Sequence, residues 1–181
     1  MAPMSTGLHV NAVVLGASHR ICAIWKVSGP VGRREGCAFP FALLLRRRGT
    51  EQDWAAETAL GALAGRRADG PVCVDLTTTV HGIEVGALRP GLCGTDLLEA
   101  SRTALGEGHR EWARRADEDP SAFHAAASGS YVLRRHAAVL AGQGPRGRGG
   151  GPVRVVHERE QPVLRAYAAA LLARTGTGSA A

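Results

Sequence analysis

The apolar positions of the first third of the chain fall in short blocks separated by turn residues. His9 to Leu15, with Val10, Val13 and Val14, reads as a strand, and Gly16-Ala17-Ser18 as the turn that closes it. Ile21 to Val27 (Ile-Cys-Ala-Ile-Trp-Lys-Val) reads as a second strand, broken by Ser28-Gly29-Pro30. A polar loop, Val31 to Gly36, leads to a third strand over Cys37 to Arg46. Pro40 lacks an N–H for a ladder, so it places this strand at an edge or a bulge. Connections this short predict an antiparallel meander.

The period then changes. Trp54, Leu60, Leu63 and the alanines between them recur at helical spacing through Arg66, with Thr50 as the N-cap and Asp53 three residues on. Ala68-Asp69-Gly70-Pro71 ends that helix. Val72 to Leu76 is a short apolar run of buried-strand type, and a helix feeding such a strand predicts an α/β crossover. Thr95 caps a further helix carrying Leu97, Leu98, Ala100, Ala104 and Leu105, which Gly106 and Gly108 interrupt. Helical stretches follow over His109 to Ala116, over Ser121 to Ala127 with Ser121 as cap, and over Tyr131 to Ala141. Val153 to Val156 is the last strand, and Pro162 opens a last helix with Val163, Leu164, Tyr167, Leu171 and Leu172 on its inner side.

The expected organisation is a single domain over residues 8–174, with a polar N-terminus at 1–7 and a disordered tail at 175–181. A helical insert occupies 94–142, and the Gly/Arg-rich stretch at 142–151 is a flexible loop that cannot bury apolar surface. At 181 residues one core suffices. The chain is 45% hydrophobic but only 4% aromatic, so Ala, Val and Leu must build that core. Its Ala, Gly and Arg bias suggests a high-GC genome of actinobacterial kind.

Charge and cysteines narrow the setting. A net charge of +6 and a pI near 9.9 permit contact with nucleic acid or another polyanion. The basic clusters best suited to phosphate are Arg46, Arg47 and Arg48, and Arg146 with Arg148. The latter lack interleaved aromatics for base stacking. Cys22, Cys37, Cys73 and Cys93 form no C-x-x-C pair and read as structural thiols of a cytoplasmic protein. No signal peptide and no membrane span are expected.

The element order, with Ala56-Glu57-Thr58-Ala59-Leu60-Gly61-Ala62-Leu63 and Val72-Cys73-Val74-Asp75-Leu76-Thr77-Thr78-Thr79-Val80-His81-Gly82-Ile83, resembles the ribonuclease H-like fold. The resemblance implies an α/β domain: one mixed five-stranded sheet flanked by helices, its fourth strand parallel, with the helical insert before the last strand. It also implies carboxylates that hold two metal ions, Mg²⁺ or Mn²⁺, for phosphodiester cleavage. On that pattern Asp75 ends the fourth strand, and Glu57 or Asp53 is its helix partner, with Asp75 and Glu57 the metal pair.

The acidic centre departs from the family at two places. No carboxylate occurs between Met1 and Arg34, where the first strand should supply one. The last helix carries Arg165 and Tyr167, with Glu158 and Glu160 only at its start. The first reading is therefore a ribonuclease H-like domain of reduced or lost nuclease activity, associated with nucleic acid or an assembly. A second is an active metal-dependent nuclease built on Asp75, Glu57 and Glu160, with His157 as a further catalytic candidate at a strand-to-helix junction. A third is a protein-interaction module that meets its partner through the helical insert.

Overall fold

The computed structural model describes residues 6–28, 39–66, 69–140 and 151–176. Arg146, Arg148 and Cys37 lie outside the described residues, as does nearly all of the Gly/Arg-rich stretch. Seven strands form one sheet: β1 (Thr6–Leu15), β2 (Ser18–Ser28), β3 (Phe41–Leu44), β4 (Gly70–Thr79), β5 (Gly82–Pro90), β6 (His136–Leu140) and β7 (Val153–His157). Five helices accompany them among the described residues: α1 (Thr50–Ala64), α2 (Thr95–Leu105), α3 (His109–Glu118), α4 (Pro120–Ala126) and α5 (Glu160–Gly176).

The first three strands form the meander expected from their short connections. β1 and β2 meet at Leu15↔Ser18, where Gly16 takes a φ of 57° that suits a residue without a Cβ. The rest of the sheet corrects the five-stranded mixed arrangement. The strand order is β5-β4-β1-β2-β3-β6-β7 and every pairing is antiparallel. β4 does lie beside β1, as a fourth strand after a helix should, but it runs against it (His9↔Asp75, Val10↔Val74). A ribonuclease H-like domain needs that strand parallel, so the topology excludes the resemblance.

Two further strands were not expected. Gly82–Pro90 returns along β4 as a hairpin, closing at Thr79↔Gly82. His136–Leu140, within the stretch expected as helix, pairs β3 and β7 instead. Accordingly β3 is an interior strand, and Pro40 stands just before it, where no ladder bond is lost. The helix starts also differ in detail. Gly49 and Gly94, not Thr50 and Thr95, occupy the N-cap positions of α1 and α2. Asp119, not Ser121, caps α4 by accepting from Ala122 N at 3.0 Å.

Side-chain alternation splits the core between two faces. Lys26 points to α1, where Glu51 is its partner, and its neighbour across the sheet is Leu8. Leu8, Val10, Val74 and Leu76 thus share the α1 face, packed on Ala55, Ala56, Ala59 and Leu63. The small alanines let α1 lie close to the sheet. α5 covers the same face farther along, with Val163 and Tyr167 buried against Phe41, Ala138 and Leu140. The alternate residues Ala137 and Val139 face α2, so α2 and α5 lie on opposite sides. His9, Asn11, Cys73, Asp75 and Trp25 belong to the α2–α3 face, which positions the site.

Candidate functional site

On a largely apolar strand, His9 and Asn11 are polar residues two apart, so both point to one face, and both are fully buried. A buried polar group is costly unless hydrogen-bonded. Here the bonds form one directional chain. The indole N–H of Trp25 donates to Asn11 Oδ1 at 2.9 Å. Asn11 Nδ2 donates to His9 Nε2 at 2.9 Å, and its other proton points to Cys73 Sγ at 3.7 Å. His9 Nδ1 donates to Asp75 Oδ1 at 2.7 Å. This sequence of donors and acceptors fits the neutral Nδ1–H tautomer of His9, assigned from the network.

Asp75 is 1% exposed and lies mid-strand, not at a strand end. Its second oxygen, Oδ2, meets the Arg89 guanidinium, which reaches it from β5. The contact is charge against charge rather than an aligned hydrogen bond: Oδ2 and Arg89 Nε complete no hydrogen bond among the described residues. Arg89 is 28% exposed, so its positive charge is partly hydrated while the carboxylate is not. Beyond the network, His109 on α3 donates from Nε2 to Ala12 O at 2.8 Å and accepts from Cys93 N at 3.4 Å. Burial holds its pKa down to about 4, against the partial opposition of the Ala12 carbonyl.

The other residues expected at a catalytic centre are elsewhere. Glu57 is exposed on α1, on the opposite face of the sheet from Asp75. Asp53 pairs with Arg47 at 3.0 Å, and Glu160 with Arg46 at 3.1 Å, both near the surface. His157 is exposed and accepts from Arg159 N at 2.9 Å. Arg48 is exposed, and Arg165 points away from the core. Among the described residues no three His, Cys, Asp or Glu side chains converge as a metal site would require. The nuclease centre is therefore not assembled, and two of the three arginines after β3 already have carboxylate partners. Sequence reasoning reached Asp75 and missed His9, Asn11, Trp25 and Arg89. The legible signal was the pair of polar residues at strand spacing in His-Val-Asn-Ala-Val-Val-Leu.

A separate open groove of about 670 Å³ lies between α1 and the β4–β5 hairpin. Trp54 and Val80 line it, with Glu51, Glu57, Thr58 and His81. Its two carboxylates suit a neutral or cationic ligand better than a phosphate.

No protein-family model and no curated protein sequence matches the chain. Solved structures do. An L-amino acid ligase from Bacillus licheniformis superposes with a TM-score of 0.66 at 10% identity, over 91% of this chain and 50% of the ligase. An N5-carboxyaminoimidazole synthase from Aspergillus clavatus, solved with ADP and 5-aminoimidazole ribonucleotide, gives 0.63 at 13% identity, over 93% and 53%. An N5-carboxyaminoimidazole ribonucleotide synthetase from Thermus thermophilus gives 0.60 at 14% identity, over 94% and 51%. The fold is of the ATP-grasp type. The chain spans about half the length of the structures it matches. The likeness replaces the ribonuclease H-like reading, and with it the nuclease and nucleic-acid association that rested on it. No helix among the described residues is long and apolar enough to cross a membrane.

The expectation of Mg²⁺ or Mn²⁺ raises the question of a metal here. The residues present do not fit one. The one carboxylate in the buried network has its first oxygen on His9 and its second against Arg89. Two unit charges about 4 Å apart interact by about 4 kcal/mol at an effective dielectric constant of about 20, and a divalent ion doubles that. A cation bound at Oδ2 would meet that repulsion from Arg89.

Proposed function

We propose that this chain is a domain of an ATP-dependent enzyme of ligase type, contributing about half of a nucleotide-binding unit of ATP-grasp form. The observation that carries the reading is the likeness of nearly the whole chain to such ligases, one of them holding ADP. The all-antiparallel sheet with helices on both faces supports it, since that is the part of the chain the likeness covers. The buried polar network supports a scaffold role for the α2–α3 face, because Asp75, His9 and Asn11 have partners that hold them in place. Mg²⁺ or Mn²⁺ would accompany such a function as an ion carried on the phosphates of the nucleotide. The groove between α1 and the hairpin would receive the non-nucleotide partner of the ligation, since its carboxylates disfavour phosphate.

Isothermal titration of ADP and of ATP into the protein tests this. Saturable binding that both nucleotides share, and that the monophosphate reproduces only weakly, is the expected result. No saturable heat with either nucleotide, with or without Mg²⁺, would overturn the reading.

A further inference from the structure

The Asp75 centre differs from a metal site in a specific way: the positive charge it needs is already supplied by the chain. We propose that Arg89 stands where a cation would have to bind, so that the Asp75 centre takes no divalent metal in the native protein and Arg89 is the residue that excludes it. The inference goes beyond the proposed ligase reading and its first test does not depend on that reading.

Three observations carry it. Asp75 is 1% exposed, so an ion reaching it must shed most of its water or displace a side chain. Both of its oxygens are engaged, Oδ1 by His9 Nδ1–H at 2.7 Å and Oδ2 by the guanidinium. The remaining groups of the network are already committed to partners within it. His9 Nε2 accepts from Asn11, and Asn11 Oδ1 accepts from Trp25. A metal would therefore have to break the network and then sit beside a fixed positive charge. Register explains why Arg89 is there. Cys73 and Arg89 are cross-strand partners, and the β4–β5 ladder shifts register between Asp75 and Leu76. Arg89 thus lies on the same face as Asp75 and two pairs along.

Mn²⁺ is the probe, because free and bound ion differ in their electron paramagnetic resonance signal. Titrated into the apo protein, it is expected to show no saturable binding that depends on Asp75: the wild type and Asp75→Asn should give the same free-ion signal. Saturable uptake by the wild type that Asp75→Asn abolishes would overturn the proposal. Arg89→Met tests the assignment to Arg89. It keeps an apolar stem and removes the charge, and it should acquire a Mn²⁺-dependent rise in Tm that Arg89→Lys does not. If Arg89→Met folds and remains indifferent to Mn²⁺, Arg89 is not the excluding residue. If it does not fold, the wild-type titration and Arg89→Lys still decide. The nucleotide titration is a separate matter. Failure of ADP binding with the metal result intact would count against the ligase reading alone.

Discussion

Asp75 shows how one side chain can be fixed from several strands. β4 carries it, β1 supplies His9 and β5 supplies Arg89. Removing one member of a buried charged pair leaves the other uncompensated, which typically costs more than the pair itself contributes. Asp75→Ala is expected to lower unfolding stability by about 3 kcal/mol, read from denaturant midpoints at constant m. Asp75→Asn, which keeps an oxygen opposite the His9 Nδ1–H, should cost less. His109 adds a pH dependence of its own. Its folded pKa, near 4, lies below the ordinary value of 6.5 because burial disfavours the imidazolium. Between those values the unfolded chain takes up a proton that the folded chain refuses. Stability from this group is full above pH 6.5 and falls as the pH drops toward 4, by up to about 3 kcal/mol. His109→Gln should flatten that part of a stability-versus-pH curve measured by thermal or urea unfolding.

At the level of elements, the boundary between α2 and α3 is set by glycine. Gly106 follows α2 with a φ of 85°, a region L side chains avoid. A Cβ there would also come within 2.6 Å of the Arg134 guanidinium, which can move aside, so the backbone is the stronger constraint. Gly106→Ala is expected to cost about 1 kcal/mol, measured as a shift in the urea midpoint, while Gly61→Ala inside α1 should stabilise. This boundary was legible, because two glycines so close together interrupt a helical period. The β1–β2–β3 meander was legible for the same kind of reason. β6 was not. His-Ala-Ala-Val-Leu is a short apolar run with alanines, and such runs fit a helix or a strand until a neighbour pairs with them. β5 was missed because an edge strand with Glu84, Gly86 and Arg89 lacks a continuous apolar face.

Over the whole molecule, direction mattered more than adjacency. A helix between two consecutive strands suggested a parallel crossover, but α1 returns the chain so that β4 runs against β1. Nothing in the local period encodes that choice, since apolar alternation reads the same in both directions. The site suffered likewise. Asp75 was visible as an acid in an apolar run, whereas its partners come from positions 66 residues earlier and one hairpin later, joined only by the sheet. That central placement of β1 has a kinetic reading. Its backbone is shared by two long ladders, to β2 and to β4, beneath helices on both faces, and neither of those neighbours is a rim strand. Its amide protons can reach solvent only when the sheet as a whole comes apart. Native-state hydrogen–deuterium exchange should therefore find the residues around Val10 slowest of all, their opening free energy equal to that of global unfolding. Those of the rim strands β5 and β7 should exchange through smaller, local openings.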